Sequence, residues 1–128
     1  MDVRPLTRVD LTLQNNLWWS DNFQFGDPTD FTWNLSNANL YLNVTTEPIG
    51  QNPVLLQCST ALGNILIVDP VNRVVAMNVS DIAMRAALGT PPAEFVYDMV
   101  MQDKTTGVIE GLMYGEIDWH SGVTITGT

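Results

Sequence analysis

The sequence predicts a small all-β domain, a sandwich or a barrel with about seven to nine short strands and one short helix. Short runs of alternating apolar and polar residues recur along the chain, and clusters of Gly, Pro, Asn and Asp separate them. Only one segment has a helical pattern instead. At 128 residues the chain is long enough to bury a core without disulfides or metal ions, and we expect one domain.

The most aromatic predicted strand spans residues 18–25. Its alternation places Trp19, Phe23 and Phe25 on one face, which we expect to join the core. Trp18 is on the opposite, polar face, where we expect it to be at the surface or under a neighbouring subunit. The Gly-Asp-Pro-Thr-Asp run that follows is typical of a turn.

The other strand predictions follow from the same alternation and from the turns beside it. The segment 38–45 shows it best, with Leu40 and Leu42 on one face. A D-P-V-N turn joins 65–69 to 73–79 and predicts a hairpin. The predicted strands outside the aromatic run are 9–13, 38–45, 54–57, 65–69, 73–79, 94–102, 108–120 and 123–126.

One segment, residues 80–89, is predicted to be helical. Ser80 suits the N-cap position, and Asp81 suits the first turn because its charge complements the helix dipole. Gly89 suits the C-terminal stop, and two prolines follow it. The predicted helix has two or three turns at most, which leaves the rest of the chain to strands and loops.

The charge balance argues against two classes of partner. The chain has 5 Lys and Arg against 14 Asp and Glu, a formal net charge of −9. Nucleic-acid phosphates and anionic membrane surfaces both attract basic residues, so the sequence predicts neither partner. Charged residues make up only 15% of the chain, so we expect a surface that is polar but uncharged, or partly covered by other chains.

The chain has a single cysteine, Cys58, so no intrachain disulfide is possible. This fits folding in a reducing cytoplasm, and the first ten residues have no apolar signal sequence. No run approaches the roughly 18 apolar residues of a membrane span. Ser20, Ser121 and Cys58 lack the local signature of an activated nucleophile, and we expect Cys58 to be a half-buried strand residue.

The strongest candidate for a chemical site is a cluster of three residues, Glu116, Asp118 and the single histidine, His120. Two carboxylates and an imidazole on one face of a strand have the composition of a metal site. Strand alternation alone produces the same pattern, because Ile117 and Trp119 then face the core. We therefore expect a solvent-exposed structural face, and we predict no enzyme activity, no cofactor and no metal.

Residues 1–16 are predicted to be an N-terminal arm, and residues 17–128 a single sandwich domain. We expect the arm to be flexible or to add as a strand to the sheet of a neighbouring chain. The arm and the surface tryptophans are expected to contact other protein chains, although tryptophans of this kind also suit a sugar platform. The predicted interface residues are Arg4, Leu6, Arg8, Leu11, Leu13, Trp18 and Trp33.

The order of several segments, over roughly residues 16–126, resembles one known family. The segments are the aromatic strand WWSDNFQF, an N-L-S-N-A run leading into NLYLNV, a hairpin and helix in GNILIVDPVNRVVAMNVSDIAMRAAL, and then Y-D-M, T-G, G-E-I-D-W and a final GVTIT. This order is similar to the small β-sandwich module of tailed-phage virions typified by the N-terminal domain of lactococcal-phage upper baseplate proteins.

The resemblance implies an immunoglobulin-like β-sandwich that is a building block of a virion, with no catalytic residues and no cofactor. It implies a homo-oligomer that binds other phage virion proteins at a tail, baseplate or fibre-attachment position. Such a protein belongs to the virion and is assembled in the host cytoplasm. Two alternatives stay open, a capsid decoration protein with the same fold and a carbohydrate- or receptor-binding module.

Overall fold

The structure, a computed structural model, describes residues 7–27, 29–47 and 52–124. These residues form nine strands and one helix. The elements are β1 (Thr7–Arg8), β2 (Leu11–Gln14), β3 (Asn22–Gln24), β4 (Ala38–Thr45), β5 (Leu56–Ser59), β6 (Ile65–Asp69), β7 (Val74–Met77), α1 (Asp81–Leu88), β8 (Ala93–Asp103) and β9 (Ile109–His120).

The strands form two sheets. The large sheet has the order β1-β9-β8-β4-β5, with β2 also paired to β9, and the small sheet has the order β3-β7-β6. In the lettering of immunoglobulin domains the small sheet corresponds to strands B-E-D, and β9-β8-β4-β5 corresponds to G-F-C-C′. The prediction of an immunoglobulin-like β-sandwich with one short helix is confirmed.

The core lies between the two sheets and follows the predicted alternation. Leu40, Leu42 and Val44 of β4 are fully buried, while the residues between them are half-buried on the outer face. The tryptophans Trp19 and Trp119 are also fully buried. The inner sides of both sheets contribute to one continuous apolar cluster, which is the packing expected of a sandwich.

From Thr7 onwards the N-terminal segment belongs to the sandwich, and the predicted boundary at residue 16 is wrong. Both β1 and β2 pair in parallel with β9, so these two strands extend the chain's own large sheet. Leu11 and Leu13 are buried in the core. The partner strand β9 lies about a hundred residues further along the chain, and local sequence patterns carry no information about pairing over such a separation.

A glycine on β9 lets the N-terminal segment approach closely between β1 and β2. A Cβ atom built on Gly115 would overlap the backbone oxygen of Val9. The same oxygen accepts a hydrogen bond of 2.5 Å from the Tyr97 hydroxyl. The adjacent Asp10 carboxylate accepts one of 3.0 Å from the backbone N–H of Glu116. The N–H of Val9 also donates a bond of 2.8 Å to the oxygen of Tyr114, so the segment is anchored to β9 on both sides of Gly115.

The helix begins and ends as the sequence predicts. The Ser80 hydroxyl oxygen accepts a hydrogen bond of 3.1 Å from the N–H of Ala83, which satisfies one free donor of the first turn. Gly89 has a φ of 78° and ends the helix. Its carbonyl oxygen accepts a bond of 3.1 Å from the Trp119 indole, which ties the helix end to β9.

Arg73 is fully buried and organises the loop that follows β3. Its guanidinium lies 5.0 Å from the centre of the Trp33 ring. It donates hydrogen bonds to five backbone carbonyl oxygens, which belong to Phe25, Asp27, Asp30, Trp33 and Val71. Carbonyl dipoles and an aromatic face thus replace the hydration of this cation.

Candidate functional site

An open groove of about 240 Å³ lies beside β2. The residues that shape it are Thr12, Gln14, Leu17, Trp18, Asp21 and Met84. Trp18 is 57% exposed and Leu17 is 50% exposed, so two large apolar side chains stand next to each other in solvent. Apolar exposure of this kind next to polar groups is typical of a contact surface. We call this feature the Trp18 groove.

The turn that carries Trp18 is held by its neighbours on both sides. The Arg85 guanidinium of α1 donates a hydrogen bond of 2.7 Å to the backbone oxygen of Asn15. Trp19 and Val79 exchange two backbone hydrogen bonds of 2.9 and 3.2 Å. The Trp19 indole also donates to the Asp21 carboxylate at 3.1 Å. Because these contacts fix the backbone around Trp18, a partner would meet a preformed surface.

The groove combines apolar and hydrogen-bonding groups. The free edge of β2 lies beside it, since the only strand paired with β2 among the described residues is β9. Thr12 and Gln14 project from β2 as exposed polar side chains. Asp21 adds a carboxylate to the lining of the groove. This arrangement suits an extended polypeptide or a small polar ligand that stacks on an indole ring.

The structure places the other predicted interface residues in different environments. Leu11, Leu13 and Trp33 are buried in the chain's own core, so their assignment to an interface between chains is wrong. Arg8 is exposed, where it pairs with Asp10 at 3.2 Å. Arg4 and Leu6 lie outside the described residues. Among the predicted interface residues that the structure describes, Trp18 alone combines exposure with a place in this groove, and the strand alternation had predicted that exposure.

The cluster of Glu116, Asp118 and His120 is solvent-exposed, as the strand alternation predicts. The His120 imidazole lies 3.1 Å from the Asp118 carboxylate. Glu116 instead lies 3.5 Å from the Arg8 guanidinium. The described residues contain no group of three or more His, Cys, Asp or Glu side chains placed to hold a metal ion.

The single thiol is more deeply buried than the sequence predicts. Cys58 is fully buried on β5, and burial raises the pKa of its thiol to about 12. The thiol is therefore protonated at neutral pH, and a protonated thiol is a poor nucleophile. The alternation of β5 points this side chain to the core together with Leu56.

Asp98 lies on the outer face of the large sheet, and burial raises the pKa of its carboxyl above the usual 3.8. Its neighbour across β4 is Asn43, whose buried side-chain oxygen accepts no hydrogen bond from the described residues. Burial therefore partly dehydrates an ionised Asp98, and the hydrogen bond from its own backbone N–H offsets only part of that cost. The cost is present at neutral pH and disappears as the pH falls through the raised pKa towards 3.8.

We expect Asp98→Asn to raise the melting temperature at pH 7 by about 2 °C and to leave it unchanged below about pH 3.5. The substitution removes the charge and provides an amide donor opposite Asn43. Calorimetry at several pH values measures both effects. Asp103→Asn is the control, and it should lower the melting temperature at pH 7. Hydrogen bonds from the N–H groups of Thr106 and Thr105 stabilise the ionised Asp103 and lower its pKa, and the substitution removes that charge. A lower melting temperature for Asp98→Asn at pH 7 would contradict this account.

Comparison with known proteins found no matching family model and no match among curated proteins. Within residues 7–27, 29–47 and 52–124, no helix has the length and hydropathy that a membrane crossing requires. The functional interpretation therefore depends on the fold, on the Trp18 groove and on the resemblance of the sequence segments.

Proposed function

We propose that this chain is a structural protein of a phage virion, a tail, baseplate or fibre-attachment component that acts through protein–protein contacts. The observation that carries the proposal is the Trp18 groove, in which exposed apolar side chains stand on a backbone held by α1 and by Val79, just after β7. Such a surface is suited to a macromolecular partner, since aromatic side chains supply much of the binding energy at protein interfaces.

The segments that resemble the virion module lie at structurally important places. The Y-D-M segment supplies Tyr97, whose hydroxyl holds the Val9 backbone, and the G-E-I-D-W segment supplies Gly115 beneath it. The N-L-S-N-A run ends at Ala38, where β4 begins. The resemblance thus concerns residues that build the sandwich, and it is the reason for proposing this family of building blocks.

Removal of the exposed indole tests the proposal. We expect Trp18→Ala to reduce incorporation of the chain into phage particles by about tenfold or more, because truncation of an aromatic hot-spot residue costs about 2 kcal/mol or more. The free energy of unfolding should change by less than about 1 kcal/mol, since the side chain is 57% exposed. Quantitative detection of the chain in purified particles measures the first effect, and urea titration measures the second.

Phe31→Ala is the matched control for this experiment, because Phe31 is 65% exposed and does not line the groove. It should leave incorporation unchanged. Absence of the wild-type chain from purified particles would refute the proposed function.

The groove also favours one second candidate, a carbohydrate-binding module. An exposed indole flanked by Thr12, Gln14 and Asp21 offers a stacking face together with hydrogen-bonding groups, which is what sugars require. A glycan array distinguishes the two candidates. Glycan binding that disappears in Trp18→Ala would favour the carbohydrate-binding module. An array without signal, together with incorporation of the chain into particles, would favour the virion structural protein.

A further inference from the structure

The edge strand β6 of the small sheet is open and apolar. Among the described residues it pairs only with β7. Leu66 is 44% exposed and Val68 is 61% exposed, both on the outer face. Soluble proteins usually protect a sheet edge with lysine, proline, a β-bulge or a covering element. Residues 65–67 contain neither lysine nor proline and pair regularly with β7, and the register shifts only between Ile67 and Asp69, at the end of β6.

Two of the other sheet edges, at β3 and at the N-terminal strands, are less suited to pairing. The strand β3 has only three residues, and its two outward side chains, Asn22 and Gln24, are polar. The N-terminal edge is interrupted between β1 and β2 and carries the Arg8–Asp10 ion pair. Short strands, interruptions and charges all weaken edge-to-edge pairing, so β6 is the most receptive of these edges.

The hydrogen-bond pattern shows which groups of β6 face outwards. The N–H of Asn78 donates to the oxygen of Asn64 at 2.9 Å, so these two residues form a hydrogen-bonded pair of the antiparallel ladder. Such pairs alternate along the ladder, so Leu66 bonds to β7 and its two neighbours do not. The backbone groups of Ile65 and Ile67 therefore point to the free edge.

Charge limits which surface of the chain a second copy can approach. The formal net charge is −9, so two copies repel each other. The large sheet carries a group of carboxylates on its outer side, from Asp10, Glu94, Asp98, Glu116 and Asp118. The strands of the small sheet carry one carboxylate, Asp69, which accepts hydrogen bonds from Asn72. Repulsion between two copies is therefore smallest when their small sheets meet.

We propose that a second copy of this chain pairs with β6 edge to edge, so that two three-stranded sheets become one continuous sheet across a two-fold axis. An antiparallel arrangement centred on Leu66 bonds Ile65 of each copy to Ile67 of the other. It sets the two Leu66 side chains against each other on the outer face, with Val68 beside them. The inference rests on the proposed function in one respect, because it takes the building block to be a homo-oligomer.

Sedimentation velocity of the purified chain, from about 1 to about 200 μM, tests the inference. We expect a reversible dimer, and we expect Leu66→Lys to raise its dissociation constant by about tenfold or more, because two lysines would face each other across the axis. Val68→Lys, on the same face, should act in the same direction. Ile82→Lys is the matched control, since Ile82 is an apolar side chain on α1 with 69% exposure, and it should leave the dimer intact.

A wild-type chain that is monomeric at every concentration would overturn the inference, as would a dimer that both β6 variants retain. Hydrogen exchange provides an independent measurement. The Ile67 amide should be protected in the wild-type dimer and should exchange quickly in Leu66→Lys. The proposed function is tested separately by detection of the chain in particles. A monomer found in particles refutes only the pairing, and a dimer absent from particles refutes only the virion role.

Discussion

Replacement of Arg73 by alanine is expected to lower the free energy of unfolding by about 4 kcal/mol and the melting temperature by about 15 °C. The side chain is fully buried, and its guanidinium donates to five backbone carbonyl oxygens. Without it those oxygens lose their donors in a place that water does not easily reach, and each unsatisfied acceptor is costly. Trp33 also loses the cation that lies 5.0 Å from its ring.

Urea denaturation at pH 7 measures this effect, and two further variants identify its origin. Arg85→Ala removes an arginine whose side chain is 44% exposed, so it should cost less than about 1 kcal/mol. Arg73→Gly should be about 1 kcal/mol more stable than Arg73→Ala, because Arg73 has a φ of 59° and glycine adopts this conformation without strain. If Arg73→Ala and Arg85→Ala lowered the free energy of unfolding by the same amount, the role of the buried guanidinium would be contradicted.

Gly115→Ala is expected to destabilise the fold by about 3 kcal/mol or more and to detach the N-terminal strand from the sheet. The added methyl group would overlap the backbone oxygen of Val9, which is a backbone atom and has no alternative rotamer. Relief requires movement of the segment between β1 and β2, which would break the bond from Tyr97 and expose Leu11 and Leu13. Hydrogen exchange at β2 and urea denaturation together measure both consequences.

Glu116→Ala is the control for this substitution. Glu116 is the next residue on β9, its side chain is exposed, and its ion pair with Arg8 is at the surface. It should change the free energy of unfolding by about 0.5 kcal/mol or less. If Gly115→Ala leaves the amides of β2 as protected as in the wild type, the close approach of Val9 to Gly115 is not essential for docking the strand.

Strands and helix with strong local signals were predicted well. The predicted strands 38–45 and 65–69 have the same bounds as β4 and β6, because regular alternation and flanking turns define them. Ser80 and Gly89 marked the ends of α1 through their capping chemistry. In each case the determining interaction lies within a few residues of the chain, where sequence patterns are informative.

Contacts between distant parts of the chain escaped prediction. Trp33 was expected at an interface with another chain, yet it is buried in the core, where Arg73, 40 residues further along the chain, contacts its ring and its backbone oxygen. The aromatic run at 18–25 contains a strand of only three residues, although Trp19 and Phe25 are buried as the alternation predicts. The groove was predicted only as an exposed Trp18, since β2 and α1 complete it through tertiary packing.

The parallel pairing of β1 and β2 with β9 has a mechanical consequence. These are the first and the last strands of the described chain, and they run side by side in the same direction. A pull applied through the residues before β1 and after β9 would slide the two strands lengthwise past each other. Every hydrogen bond between them then carries the load at once, instead of opening one after another. A chain linked to its surroundings through both flanks would resist tension by shear, and its rupture force would depend on the bonds beside Gly115.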